Sequence, residues 1–349
     1  MRYFEFLKED LTVPELKTQI VSQVQDLEDF DLLDRIYQVL SHKNVKQKIE
    51  NALAITTKDS NIGKIDTVIN DMLSSIATIP GSTSEKLQFV ESLENGTAVN
   101  TQALQMASTT FASVFSSAFA EKFFAANANF GRGVKMKGPG EFALAIMAPD
   151  ISLAEKGDIM IGSQHVEVKA AERSESGGRL GEVGPVQKDA IVAHLGKIAK
   201  KYTTTPEQDN FFFKAFESVK SKSLNVSIQA LHMLFPDNPS AVQACVAGVI
   251  ALSFPTSMAT AIGKAAARDP SGALAEIEYM KQNFEWYKDR DGFDSIMAIW
   301  FSGKRVYNFN SGNEFAALRS AGYLGSPSVS FIPSKPNEIY AQVNFTKKK

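Results

Sequence analysis

Apolar residues recur at helical spacing through the first third of the chain. Leu32, Leu33, Ile36 and Leu40, continued by Val45 and Ile49, mark one helical stretch. Ile65, Val68, Ile69, Met72 and Ile76 mark a second, which stops before Pro80-Gly81. A run rich in Ala, Ser and Phe predicts a third helix over 101–126. The composition shifts at Phe130-Gly131-Arg132-Gly133, and from there to Gly140 the chain is glycine-rich and basic. A short apolar helix is expected from Glu141 to Met147, with Pro139-Gly140 ahead of its first turn.

The period then changes from helical to two. Asp158-Ile159-Met160-Ile161 reads as a short strand, Gly162-Ser163-Gln164 as a turn, and His165-Val166-Glu167-Val168-Lys169-Ala170 as the returning strand of a β-hairpin. A loop rich in Gly and Ser follows from Arg173 to Gly184. From Val186 to about Tyr287 the pattern is helical again, interrupted at Pro206, Pro236, Pro239, Pro255 and Pro270. Ser295–Phe301 turns through Ser302-Gly303-Lys304 into Arg305–Phe309, a second strand pair, and 328–332 and 339–345 are two further strand candidates. The fold class expected is therefore α/β, an α+β mixed sheet interrupted by a long helical insertion and preceded by an α-helical region. The domains expected are 1–130, helical, and 131–349, with the insertion at about 186–290.

Composition narrows the function. The chain has 349 residues, 44% of them hydrophobic, so a sizeable core is available. The formal net charge is −2, which excludes a uniformly basic surface but leaves room for a local basic groove. One cysteine, Cys245, rules out an internal disulfide framework and fits a reducing, cytoplasmic setting. Four histidines with no His-x-x-x-His pair make a zinc hydrolase a poor reading. The first residues lack the apolar stretch of a signal peptide. The longest apolar run, 241–254, contains Gln243 and ends at Pro255, so a buried helix is expected there and no membrane partner.

The chemistry gathers on the hairpin. Glu167 and Lys169 are two apart in a strand and share a face, and Asp158 begins the partner strand beside them. Glu141, at a helix start, lies upstream. Phosphodiester hydrolysis calls for such a set, because a divalent cation must bring water to an anionic substrate and offset the charge that builds on phosphorus. Mg2+ or Mn2+ prefers oxygen donors and commonly takes one or two carboxylates. Scanning every acid for acid-x-Lys finds only Glu15-Leu16-Lys17, beside Pro14 and with no strand pattern, and Glu167-Val168-Lys169.

Gly157-Asp158, eight residues, then Glu167-Val168-Lys169 resembles the PD-(D/E)XK, or restriction-endonuclease-like, nuclease superfamily, and Gly138-Pro139-Gly140-Glu141 resembles its helix-borne glutamate. The match covers about 40 residues, 138–180. The resemblance implies a restriction-endonuclease-like core in which Ser295–Phe301 is a later strand. It implies a Mg2+- or Mn2+-dependent deoxyribonuclease, with metal ligands at Asp158, Glu167, the Val168 carbonyl and Glu141, and a catalytic lysine at Lys169. Metal and burial are expected to lower the Lys169 pKa. Pro149-Asp150 competes with Asp158 as the first acid. DNA, with RNA as the other nucleic-acid partner, would be met by Arg132, Lys135 and Lys137 before the helix, by His165, by Arg173 and Arg179 in the following loop, and by Lys188. Each has a bland alternative as a solvated charge.

Two rivals stand beside the enzyme. One is a nuclease-fold DNA-binding protein without catalysis; the other is a virion-associated interaction scaffold. A generic nuclease core among helices that carry no motif has the style of a phage or viral protein, located in the host cytoplasm or the virion. A homo-oligomer is left open.

Overall fold

A computed structural model describes residues 30–40, 46–47, 63–128, 140–170, 179–181, 188–202, 223–322 and 343–344. In chain order the elements are α1 (Phe30–Leu40), α2 (Gly63–Thr78), α3 (Thr83–Glu94), α4 (Thr101–Leu104), β1 (Ser108–Thr110), α5 (Phe111–Val114), α6 (Ala118–Ala126) and α7 (Glu141–Met147). Next come β2 (Ile151–Leu153), β3 (Ile159–Ile161), β4 (Gln164–Ala170), β5 (Arg179–Leu180), α8 (Lys188–Tyr202), α9 (Leu224–Leu234), α10 (Pro239–Ile250), α11 (Thr256–Arg268) and α12 (Ala273–Asp291). The last are β6 (Ser295–Trp300), β7 (Arg305–Phe309), α13 (Gly312–Ser320) and β8 (Val343–Asn344).

The chain forms two compact units. One comprises Met1–Ala170 with Gly292–Asn308, the other Ala171–Asp291 with Phe309–Lys349. The boundary expected near residue 130 is therefore not where the units divide. The reason is packing. An isolated amphipathic helix cannot bury its apolar stripe. Phe111, Phe119, Phe123 and Phe124 join one buried cluster with Ile159, Ile161, Val166, Val168, Met297 and Ile299 of the sheet. Phe124 stacks on Phe301 with centroids 5.5 Å apart. The second unit also takes in the tail, so it is larger than the insertion expected at 186–290.

The sheet of the first unit has six strands in the order β1-β7-β6-β4-β3-β2 and is mixed. β2, β3 and β4 are successive antiparallel neighbours, while β4 and β6 run parallel, Val166 opposite Ser295 through Ala170 opposite Ile299. A parallel pair cannot be closed by a tight turn, and the chain of the second unit supplies the long connection. The expected hairpin is present: Gly162, at φ 60, opens a two-residue turn between the paired Ile161 and Gln164.

Two short strands depart from the expected pattern. The single helix over 101–126 is three short helices with β1 among them, because Ser108–Thr110 pair with Arg305–Tyr307 of β7. β2 lies between the expected helix and hairpin, in a stretch for which no element was expected. In the second unit, β5 lies within the expected loop 173–184 and pairs with β8, so β8 belongs to a separate two-stranded ribbon and not to the main sheet. The strand candidate 328–332 lies outside the described residues.

The second unit is otherwise helical. Helix α10 is buried along Ala241, Val242, Cys245, Val246, Val249 and Ile250, as the apolar run led one to expect. Gly263 of α11 lets that helix approach α10 closely, since a Cβ there would stand 2.8 Å from the Gln243 carbonyl. No helix among the described residues is long and apolar enough to cross a membrane.

Candidate functional site

Asp158, Glu167 and Lys169 come together on the polar face of the hairpin. Val166 and Val168 point into the core at 2% and 1% exposure, and the alternation of β4 turns Glu167 and Lys169 to the other face. The Lys169 ammonium lies 2.5 Å from Glu167 Oε1 and 3.8 Å from Asp158 Oδ2. All three side chains are largely withdrawn from solvent.

Asp158 is fixed by its own backbone. Its N–H donates to the Val166 carbonyl at 3.0 Å, and its carbonyl accepts from the Ala154 N–H at 3.1 Å. Its carboxylate accepts the Val168 N–H at 2.8 Å. Val168 therefore orients the acid through its amide while its side chain packs in the core. Gly157, at φ 64, makes the approach possible: a Cβ there would meet the Val166 carbonyl at 3.1 Å.

Glu141 opens α7, a helix whose seven residues are all buried. Gly140 caps it in the left-handed region at φ 91, and a Cβ on Gly140 would stand 2.8 Å from Phe124 Cζ. Glu141 is 0% exposed, and its charge is one of those acting on Lys169. Burial pulls the Lys169 ammonium down, but the charges of Glu167 and Asp158, the Glu167 hydrogen bond and the charge of Glu141 together hold it above the ordinary lysine value. The lowering expected from the sequence counted a bound metal ion together with burial; in the metal-free protein burial does act downward, and the acids outweigh it.

Asp150 is elsewhere. It precedes Ile151, which pairs with Ile161 at the turn end of the hairpin, whereas Asp158 is at the opposite end. The Asp150 carboxylate accepts the Thr101 hydroxyl at 2.6 Å. His165 shares the face of Glu167 and Lys169. Its backbone N–H donates to Asp294 Oδ2 at 2.8 Å, and its ring Nδ1 lies 3.0 Å from the Lys156 carbonyl. Asp294 and Lys156 escaped sequence reasoning; the one available signal was that Asp294 directly precedes a strand.

Arg132, Lys135, Lys137 and Arg173 lie outside the described residues, and so do the side chains of Arg179 and Lys188, although Arg179 begins β5 and Lys188 begins α8. Lys200 and Lys201 fall in the last turn of α8, where cations suit the helix dipole.

Formally, three carboxylates face one ammonium. Two of them, Asp158 and Glu167, reach a single cationic atom, an all-oxygen anionic donor set of the kind that suits Mg2+ or Mn2+. Among the described residues no three His, Cys, Asp or Glu side chains already form a metal-holding group. An ion here would rest on those two carboxylates, with water and substrate filling its shell. Comparison with known protein families, with curated proteins and with solved structures finds no match.

Proposed function

We propose that the chain is a metal-dependent nuclease of the PD-(D/E)XK kind, hydrolysing phosphodiester bonds of DNA with Mg2+ or Mn2+. The observation that carries this reading is the convergence of Asp158, Glu167 and Lys169 on one buried polar face of a β-hairpin. Two further features support it: the helix bearing Glu141 leads through β2 into the hairpin strands, and β6 runs parallel to β4 as a later strand of the same sheet.

Asp158 and Glu167 would hold the ion, which when bound supplies an activated water and charge for the phosphate oxygens. The Val168 amide keeps Asp158 turned to its post. In the metal-free protein its acidic neighbours keep Lys169 an ammonium, a donor of hydrogen bonds with no lone pair. Its part is to donate hydrogen bonds and to stabilise the negative charge that grows on the transferred phosphoryl group. Glu141 adds to the negative field that keeps both cations in place.

A second reading draws on the same 2.5 Å contact. If Lys169 is the permanent counter-ion of the acids, the site is structural, and the protein is a nuclease-fold DNA binder or virion scaffold without catalysis. Circular and linear DNA incubated with Mg2+ or EDTA distinguishes the two. Cleavage that needs Mg2+ and disappears in Asp158→Ala and Glu167→Ala supports the enzyme. Absence of cleavage by the parent protein, or its retention in both variants and in Lys169→Ala, overturns it.

A further inference from the structure

The register of the sheet brings an aromatic side chain, Trp300, to the face that carries the site. On β6, Met297 and Ile299 enter the buried cluster of Val166 and Val168, and the next residue in that alternation, Phe301, stacks on Phe124. Ile296, Ala298 and Trp300 therefore fall on the opposite face, the one to which β4 turns Glu167 and Lys169. The ladder sets Lys169 opposite Ala298. Trp300 stands two residues beyond that partner and one strand across, which puts its Cα roughly 8 Å from that of Lys169. Ile296 and Ala298 are buried, whereas Trp300, where the strand ends, keeps part of its surface in solvent.

The indole is fixed in place. Its Nε1–H donates to the Ser302 hydroxyl at 3.1 Å. The ring lies over Gly303 so closely that a Cβ there would overlap it. The turn from β6 to β7 thus holds a large flat ring, with one side against its own backbone, at the edge of a site that suits a phosphate. A nucleobase stacks on such a ring whatever its sequence, because every base has a π-face. A base inside a duplex has to leave its pairing partner and its stacked neighbours to do so, and an unpaired base does not.

We propose that Trp300 is a specificity-determining residue, stacking an unpaired nucleobase beside the phosphate held at Asp158, Glu167 and Lys169, on the ring face turned away from Gly303. This rests on the nuclease reading and names its substrate class, single-stranded or locally unpaired DNA. The acids, the ion and the lysine take the backbone. Trp300 adds an interaction that requires a base to be present and does not depend on which base it is.

A single-stranded oligothymidylate whose central run is base-free deoxyribose phosphate, with the same charge throughout, tests the proposal. The strand is end-labelled, incubated with Mg2+, and its cuts are mapped, with duplex DNA run alongside. The parent protein is expected to cut about tenfold faster at phosphates flanked by bases than within the base-free run, the effect of stacking one base. In Trp300→Leu that ratio falls towards one, and in Trp300→Phe, which keeps a smaller ring, part of it remains. Gly303→Ala retains the indole but displaces it, and should lose the preference as Trp300→Leu does. Because each ratio is taken within one strand and one protein, lost protein does not affect it. A ratio near one in the parent, an undiminished ratio in Trp300→Leu or Gly303→Ala, or cleavage of duplex with none of the single strand overturns the proposal and leaves the nuclease reading standing. No Mg2+-dependent cleavage of either DNA by the parent overturns the nuclease reading and this inference with it.

Discussion

Lys169 Nζ lies 2.5 Å from Glu167 Oε1, two residues back on the same strand. The amine is the counter-charge to a group of acids with little access to water. Removing it leaves those carboxylates facing one another. Lys169→Met is expected to lower stability in EDTA by about 2–4 kcal/mol, somewhat less than a wholly buried pair because the lysine keeps partial exposure. Millimolar Mg2+ should restore part of that loss, since a divalent ion replaces the missing charge. Thermal denaturation of both proteins with EDTA and with Mg2+ checks this. A variant as stable as the parent in EDTA would show that the pair is not a counter-charge.

The raised pKa of Lys169 has a pH signature. Burial acts to lower it, but Glu167, Asp158 and Glu141 keep the proton on in the folded chain past the ordinary value of 10.5. A group whose folded pKa is raised contributes its full stability below the unfolded value and loses it as pH rises through the folded one. The advantage of the parent over Lys169→Met should therefore be constant near neutrality and shrink above about pH 10.5. Denaturant unfolding from about pH 8 to pH 12 measures it. A difference that shrinks well below that window contradicts the direction.

Asp158 carries two separable duties, a charge and an acceptor for the Val168 N–H. Asp158→Asn keeps the acceptor and loses the charge; Asp158→Ala loses both and strands an amide within the hairpin. The alanine variant should be less stable than the asparagine variant by about 1–3 kcal/mol, while both lose cleavage. Equal stabilities from chemical denaturation would mean that the amide finds another partner.

Gly140 sets the start of the helix that delivers Glu141. Its φ of 91 disfavours any side chain, and a Cβ would stand 2.8 Å from Phe124. Gly140→Ala should cost about 1–3 kcal/mol and shift Glu141 relative to Lys169. Unfolding free energy reads the first effect, and a smaller alkaline shift of the Lys169 titration reads the second.

The hairpin was legible because its information is local. Apolar alternation, a glycine at the turn and the acid-x-lysine pair all fall within Asp158–Ala170. Helix α7 and the strand pair 295–309 were legible for the same reason, and their ends agree with the sequence pattern to within about two residues. β1 was not, because Ser108–Thr110 become a strand through pairing with β7 almost two hundred residues later, and they sit inside a longer run rich in Ala and Phe that reads as one helix. The unit boundary was hidden likewise: whether Phe124 ends a helical domain or packs under a sheet depends on Phe301 and Ile299. The direction of the Lys169 shift needed distances, since burial and neighbouring acids act in opposite senses and only geometry says which prevails.

Binding of Mn2+ to the parent protein, followed by calorimetry and by electron paramagnetic resonance, tests the central claim without relying on catalysis. The account predicts binding at a single site, weakened about tenfold or more in both Asp158→Asn and Glu167→Gln, since each removes one charged ligand worth at least about 1.4 kcal/mol. Failure of the parent to bind, or affinity unchanged in both variants, would contradict it.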